Sequence, residues 1–138
     1  MKFLSVYSHA ETGAPPSPDE MERMGRLVEE GMQAGYLLAV EGCLPSATGA
    51  RVRRNGNQIS VTHGPFAESA ELIGGLAIIQ ADSREEAIQH VCHFLGVAGD
   101  GVCELRQLYD AESCPGSSCA DGALTSSVQQ SESSAVAA

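Results

Sequence analysis

Apolar and polar residues alternate from Phe3 to Tyr7, the period of a strand with one face on a core. Glu11 to Pro16 is rich in Pro and Gly and reads as a loop. Ser17-Pro-Asp-Glu20 then supplies a helix start: Ser at the N-cap, Pro at the first helical position and Glu20 closing a capping box. Met21, Met24, Val28 and Met32 fall on one face of that helix with Leu27 beside them, and Gly35 ends it. Tyr36-Leu-Leu-Ala-Val is a second strand. Arg51-Val-Arg-Arg and Gln58-Ile-Ser-Val-Thr flank Asn55-Gly56, the best short-range hairpin signal in the chain. Gly75 to Ala81 is a near-continuous apolar run, the mark of a central strand. Asp82-Ser-Arg-Glu85 starts a second helix with a box-like pattern, and Ile88, Val91, Cys92 and Leu95 form its expected buried stripe. Val102 to Leu108 alternates again and closes the core.

Without the hairpin, this order is strand, helix, strand, strand, helix, strand. The predicted fold class is α+β, a ferredoxin-like split β-α-β with an inserted β-hairpin. Two helices cover one face of a four-stranded sheet and nothing in the chain covers the other. A bare apolar face calls for a partner, so a homodimer packed face to face is the economical solution. The periodic patterns occupy residues 1–110, one domain. From Ala111 to Ala138 the chain turns to Ser, Ala, Gly and Gln and reads as a disordered tail, with too little apolar surface to offset ordering entropy.

Composition narrows the function. The chain has 138 residues, with 18 acidic and 8 basic side chains and a net charge of −10. That charge repels nucleic acid, and Arg51, Arg53 and Arg54, the one basic cluster, read as a solvated strand face. There is no Trp, and three Phe and three Tyr make no stacking platform for single strands. No apolar run suggests a membrane span, and the N-terminus lacks a convincing signal peptide, so a cytoplasmic location is expected. Five cysteines at irregular spacing suggest no disulfide framework, with Cys43 and Cys103 expected in buried strand positions. His90 and His93 have a spacing seen in metal sites, but no second ligand pair accompanies them, and neither metal nor cofactor is expected.

The candidate chemistry centres on His63-Gly-Pro-Phe-Ala-Glu-Ser-Ala-Glu-Leu-Ile-Gly-Gly75. Gly64-Pro65 makes a turn, Glu68 and Glu71 follow at helical spacing, and Gly74-Gly75 allows close backbone approach. His63 suits proton transfer, and Glu68 and Glu71 suit acid and base roles; the structural alternatives are a hydrogen-bonded surface His63 and carboxylates that cap the turn and pair with Arg. Glu71 can place a ligand cation or cap the turn. Glu41 lies in an otherwise apolar strand, so it is either edge-exposed or functional, with Arg51 and Arg53 as plausible partners. Tyr7 and His9, ending the first strand, are expected at the same end of the sheet. Glu41, Arg53, Glu71 and Tyr7 are therefore candidate ligand-binding residues.

The ordered set of motifs resembles the YCII-related family in its DGPF-domain branch. The matching pieces are Gly35-Tyr-Leu-Leu-Ala-Val-Glu-Gly-Cys-Leu-Pro45, Gly64-Pro-Phe-Ala-Glu68, Glu71-Leu-Ile-Gly-Gly75, Ala77-Ile-Ile79, Ser83-Arg-Glu-Glu-Ala-Ile88 and Glu104-Leu-Arg-Gln-Leu108. The resemblance covers residues 1 to about 109 and implies a dimeric α+β barrel in which two sheets face each other. It also implies a functional link of some branch members to extracytoplasmic-function sigma factors. The family motif begins with Asp where this chain has His63, which counts against strictly Asp-dependent chemistry here. Three readings follow: a homodimeric module binding a small molecule or a protein, a metal-independent enzyme using His/Glu acid–base chemistry on a small polar metabolite, and a purely structural protein whose sheet interface holds no ligand-sized cavity.

Overall fold

The computed structural model describes residues 1–66 and 71–110. Contacts group the chain into Met1–Leu108 and Tyr109–Ala138, and the fold below is that of the first unit. The expected tail, 111–138, lies outside the described residues. The elements run β1 (Lys2–His9), α1 (Pro18–Ala34), β2 (Leu37–Gly42), a 3₁₀ turn (Ser46–Thr48), β3 (Ala50–Asn55), β4 (Gln58–His63), β5 (Leu72–Gln80), α2 (Arg84–Ala98) and β6 (Val102–Gln107). Four strands form one antiparallel sheet in the order β2-β5-β1-β6, and β3 pairs with β4 in a separate hairpin. The two helices, the four-stranded sheet and the inserted hairpin are consistent with the ferredoxin-like arrangement.

Local chemistry sets the helix ends. The Ser17 hydroxyl accepts from the Glu20 N–H at 3.2 Å, and the Glu20 carboxylate accepts from the Ser17 N–H at 2.7 Å, the full capping box. Gly35 closes α1 at φ 83°, a left-handed position that glycine adopts without steric penalty. In α2 the box is displaced. Ser83 caps the Glu86 N–H at 3.1 Å, and Glu86 reaches back to the Asp82 N–H at 2.7 Å.

The sheet register divides the side chains into two layers. Phe3, Ser5 and Tyr7 share one face with Ile79, Ala77, Leu105 and Cys103. The helices pack on this side, where Phe3 is 1% exposed and meets Ala81 and Ala87, with Leu105 alongside. Leu4 and Val6 lie on the opposite face beside Ile78 and Leu76, with Glu104 and Arg106 across β6. Leu76, Ile73 and Val102 remain 38%, 57% and 49% exposed, so no described element covers them.

The helix faces are rotated from the sequence expectation. In α1 the buried positions are Leu27 and Gly31, Met24 and Val28 are half-buried, and Met21 and Met32 are exposed. Gly31 belongs inside because Leu37 and Tyr36 occupy the space a side chain would need. In α2, Ala87 and Val91 are buried, with His90 and Phe94 half-buried, whereas Ile88 and Cys92 face out. Cys92 therefore does not point inward with Val91. Cys43 is exposed just beyond β2, and Cys103 is half-buried in β6, so neither is the fully buried strand residue expected.

Candidate functional site

The antiparallel sheet gathers the C-terminal ends of β1 and β2 and the N-terminal ends of β5 and β6 at one end. Tyr7 and His9 stand there, both on the helix-covered side, as the strand period requires. Their rings stack at 5.1 Å between centroids, and Phe94 meets Tyr7 edge-on at 5.2 Å. The Tyr7 hydroxyl donates to the Asp100 carbonyl at 3.1 Å. Burial raises the Tyr7 pKa first, with Cys103 and Asp100 adding to it. Burial likewise raises Cys103, partly offset by a hydrogen bond with Ser5.

His9 has a defined tautomer. Its Nδ1 lies 2.9 Å from the Ala10 carbonyl, which can only accept, so Nδ1 carries a proton. The ring edge at Nε2 lies over Gly74, where a Cβ would come within 2.5 Å of it. The neighbouring Gly75 runs close to the Glu41 carbonyl, at 2.9 Å for an added Cβ. The paired glycines thus admit an imidazole on one side of β5 and the β2 backbone on its edge.

A second polar assembly fastens the loop after β1 to the base of the hairpin. Glu11 accepts from both the Ser46 N–H, at 2.6 Å, and the Ser46 hydroxyl, at 2.7 Å. The same hydroxyl accepts from the Phe66 N–H at 3.2 Å. The Gly64–Pro65 bond is cis, and Gly64 donates to the Gly49 carbonyl at 2.9 Å. A side chain at Gly64 would overlap the Ser46 carbonyl. Above the turn the Arg51 guanidinium sits 4.1 Å from the Phe66 ring centroid, a cation–π contact. Arg51, Arg53, Ser60 and Thr62 line an open cleft of about 260 Å³ on one face of the hairpin.

The candidate residues from the sequence are therefore partly assembled. Tyr7 and His9 share a stack. Arg53 lines the hairpin cleft. His63 is the last residue of β4, exposed and opposite Ala50. Glu68 lies outside the described residues, so the His63/Glu68 pair has no geometry to report. Glu71 is exposed at the entrance to β5. Glu41 is exposed on the edge strand β2, opposite Leu76, which puts it on the uncovered face. It forms no ion pair with Arg53, whose strand belongs to the other sheet. Among the described residues no cluster of three or more metal-ligating side chains forms, and His90 instead stacks on Tyr36 at 3.8 Å. The link from Glu11 to Ser46 escaped sequence reasoning because the two are 35 residues apart and neither sits in a motif.

No helix among the described residues is long and apolar enough to cross a membrane. Fold and site together define an α+β domain with a split β-α-β core, a protruding hairpin and a polar sheet end. Residues 1–111 match the YCII-related domain, and the chain belongs to that family. No curated protein matches it.

Proposed function

We propose that this YCII-related protein is a homodimeric module of the DGPF branch that binds a small polar molecule. The branch assignment rests on Gly64-Pro-Phe-Ala-Glu68 and the motifs around it, with His63 in the place of the branch Asp. It brings with it the functional link to an extracytoplasmic-function sigma factor. The observation that carries the dimer is the uncovered sheet face, where Leu4, Val6, Leu76 and Ile78 stand side by side on the two central strands. Apolar surface of that kind is buried at an interface rather than left in water. Leu76→Arg should convert a dimer into a folded monomer, read by analytical ultracentrifugation and far-UV circular dichroism. A variant that dimerises as wild type does would remove the face-to-face reading.

The ligand site of this reading is the sheet end where β1 stops. Tyr7, His9 and Glu11 give aromatic faces and a carboxylate within a few residues of one another, with Ser46 brought to Glu11 from the base of the hairpin. Binding stabilises the native state by mass action. A thermal-shift screen with small polar metabolites should give a hit that His9→Ala abolishes. A hit of equal size in the variant would place the ligand elsewhere. The alternative, metal-independent acid–base chemistry, is favoured by one observation: the Ala10 carbonyl fixes the His9 tautomer, leaving Nε2 as the basic atom of the neutral ring. In that reading His9 replaces His63 as the proton carrier.

A further inference from the structure

The β3–β4 hairpin has two unlike faces. Arg51 and Arg53 stand opposite Thr62 and Ser60 on one, and Val52 and Arg54 stand opposite Val61 and Ile59 on the other. The first face lines the open cleft of about 260 Å³. Its four side chains mark the corners of a rectangle. Successive residues on one face of a strand lie about 7 Å apart, and cross-strand neighbours about 5 Å. Two guanidinium groups and two hydroxyls therefore border one small space, and each of them can donate hydrogen bonds into it. No Asp or Glu occurs between Ala50 and His63.

Outside the hairpin the arginines are treated differently. Arg23, Arg26, Arg84 and Arg106 each pair with a carboxylate within 3.5 Å. On the hairpin, Arg54 donates to the Gly56 carbonyl. Arg53 forms no ion pair among the described residues, in a chain that carries 18 acidic side chains. A carboxylate opposite Arg53 would stabilise the ribbon, yet Ser60 stands there. Two cations side by side, facing neutral donors, suit an anion that comes from outside the chain. Arg51 is also held in advance. Its guanidinium lies 4.1 Å from the Phe66 ring centroid, and the Phe66 N–H donates to Ser46. Stacking uses the flat face of a guanidinium and leaves its N–H donors in the plane. Ordering a long side chain before binding reduces the entropy lost on binding.

The donor set selects the anion. A carboxylate has two oxygens and one charge, which a single guanidinium fork satisfies. A phosphate monoester carries a charge of about −1.5 to −2 at pH 7 and three acceptor oxygens, a match for two cations and two hydroxyls. Clefts that enclose drug-sized ligands measure roughly 300–1,000 Å³. This smaller, open cleft suits a head group whose remainder stays in solvent. We propose that the face formed by Arg51, Arg53, Ser60 and Thr62 is a phosphate site, for inorganic phosphate or for the head group of a small phosphate monoester. It is separate from the sheet-end site proposed above and does not depend on the dimer.

Isothermal titration calorimetry of the full chain at low ionic strength tests it, with inorganic phosphate, glycerol phosphate and acetate as probes. Both phosphates should bind saturably, and acetate about tenfold or more weakly than either. Arg53→Gln should weaken phosphate binding by about tenfold or more, and Thr62→Val by a smaller factor. Arg54→Gln removes the same charge from the opposite face and should leave the affinity within about twofold. All three substituted residues are exposed, and circular dichroism of the variants should match wild type. Glycerol phosphate binding more tightly than inorganic phosphate supports the site and identifies an organic monoester as its ligand; the reverse order supports it with the free anion as ligand. Absence of saturable phosphate binding overturns the proposal. So do equal losses in Arg53→Gln and Arg54→Gln, which reduce the effect to the general charge of the hairpin. Binding that His9→Ala abolishes and Arg53→Gln leaves intact also overturns it and puts the anion at the sheet end.

Discussion

At Gly101 a hydrogen atom is the side chain that fits. A methyl there would run into the Tyr7 ring and approach the Ser8 carbonyl to 2.8 Å. Gly101→Ala should therefore destabilise the protein by roughly 1–3 kcal/mol through overpacking, measured by urea unfolding. Gly96, in α2 with nothing within 4 Å of an added Cβ, is the contrast. Gly96→Ala should stabilise by about 0.5–1 kcal/mol, because alanine costs less backbone entropy in a helix. Sequence alone treats the two glycines alike; the difference is a ring from a strand more than ninety residues away in the chain. Ser46 shows the same limit. Three of its hydrogen bonds, two to Glu11 and one to Phe66, bring together segments that carry no shared pattern. Tyr7, by contrast, stands at the end of β1 on the helix-covered side, a position that alternation and the strand's length decide.

Elements begin and end where short-range chemistry says. The capping box at Ser17 and Glu20 is complete within four residues, so the sequence displays it whole. Ser17→Ala should cost about 1 kcal/mol by urea unfolding. The box also has a pH signature. The Ser17 backbone N–H and then its hydroxyl hold the Glu20 carboxyl below the ordinary carboxylate range. A group lowered in the folded state stabilises it above the unfolded value, and the contribution disappears as pH falls through the lowered one. Glu20→Gln should thus melt below wild type at neutral pH, and the gap should close as the solution is acidified past that range. The hairpin turn came out one residue along from the expected Asn55-Gly56. Asn55 pairs with Gln58, leaving Gly56 and Asn57 as the loop, with a positive φ at Gly56 alone. That is the demand of a turn with glycine first, the II′ pattern. The helix stripes were rotated for a different reason. Periodicity counts every large apolar residue, whereas packing selects small ones, Gly31 where the Leu37 and Tyr36 side chains fill the space and Ala87 against Phe3.

At the scale of the molecule, the uncovered sheet face carries the proposed dimer. Leu76 is already exposed in the single chain, so under that proposal a charge there should remove association without opening the Phe3 core. For the same reason the wild-type melting temperature should rise with protein concentration and that of Leu76→Arg should not, the mass-action signature of a folded dimer.

The sequence by itself determined the element order, the helix caps, the hairpin's existence and the α+β class. Each follows from contacts within a few residues or from a repeating period, and such information is written along the chain. The tertiary structure alone decided which helix residues are buried, that the His9 imidazole lies over Gly74, and how Glu11 reaches Ser46. These depend on surfaces brought together from distant segments, where a tight contact or a long-range hydrogen bond selects among side chains that local patterns rank equally.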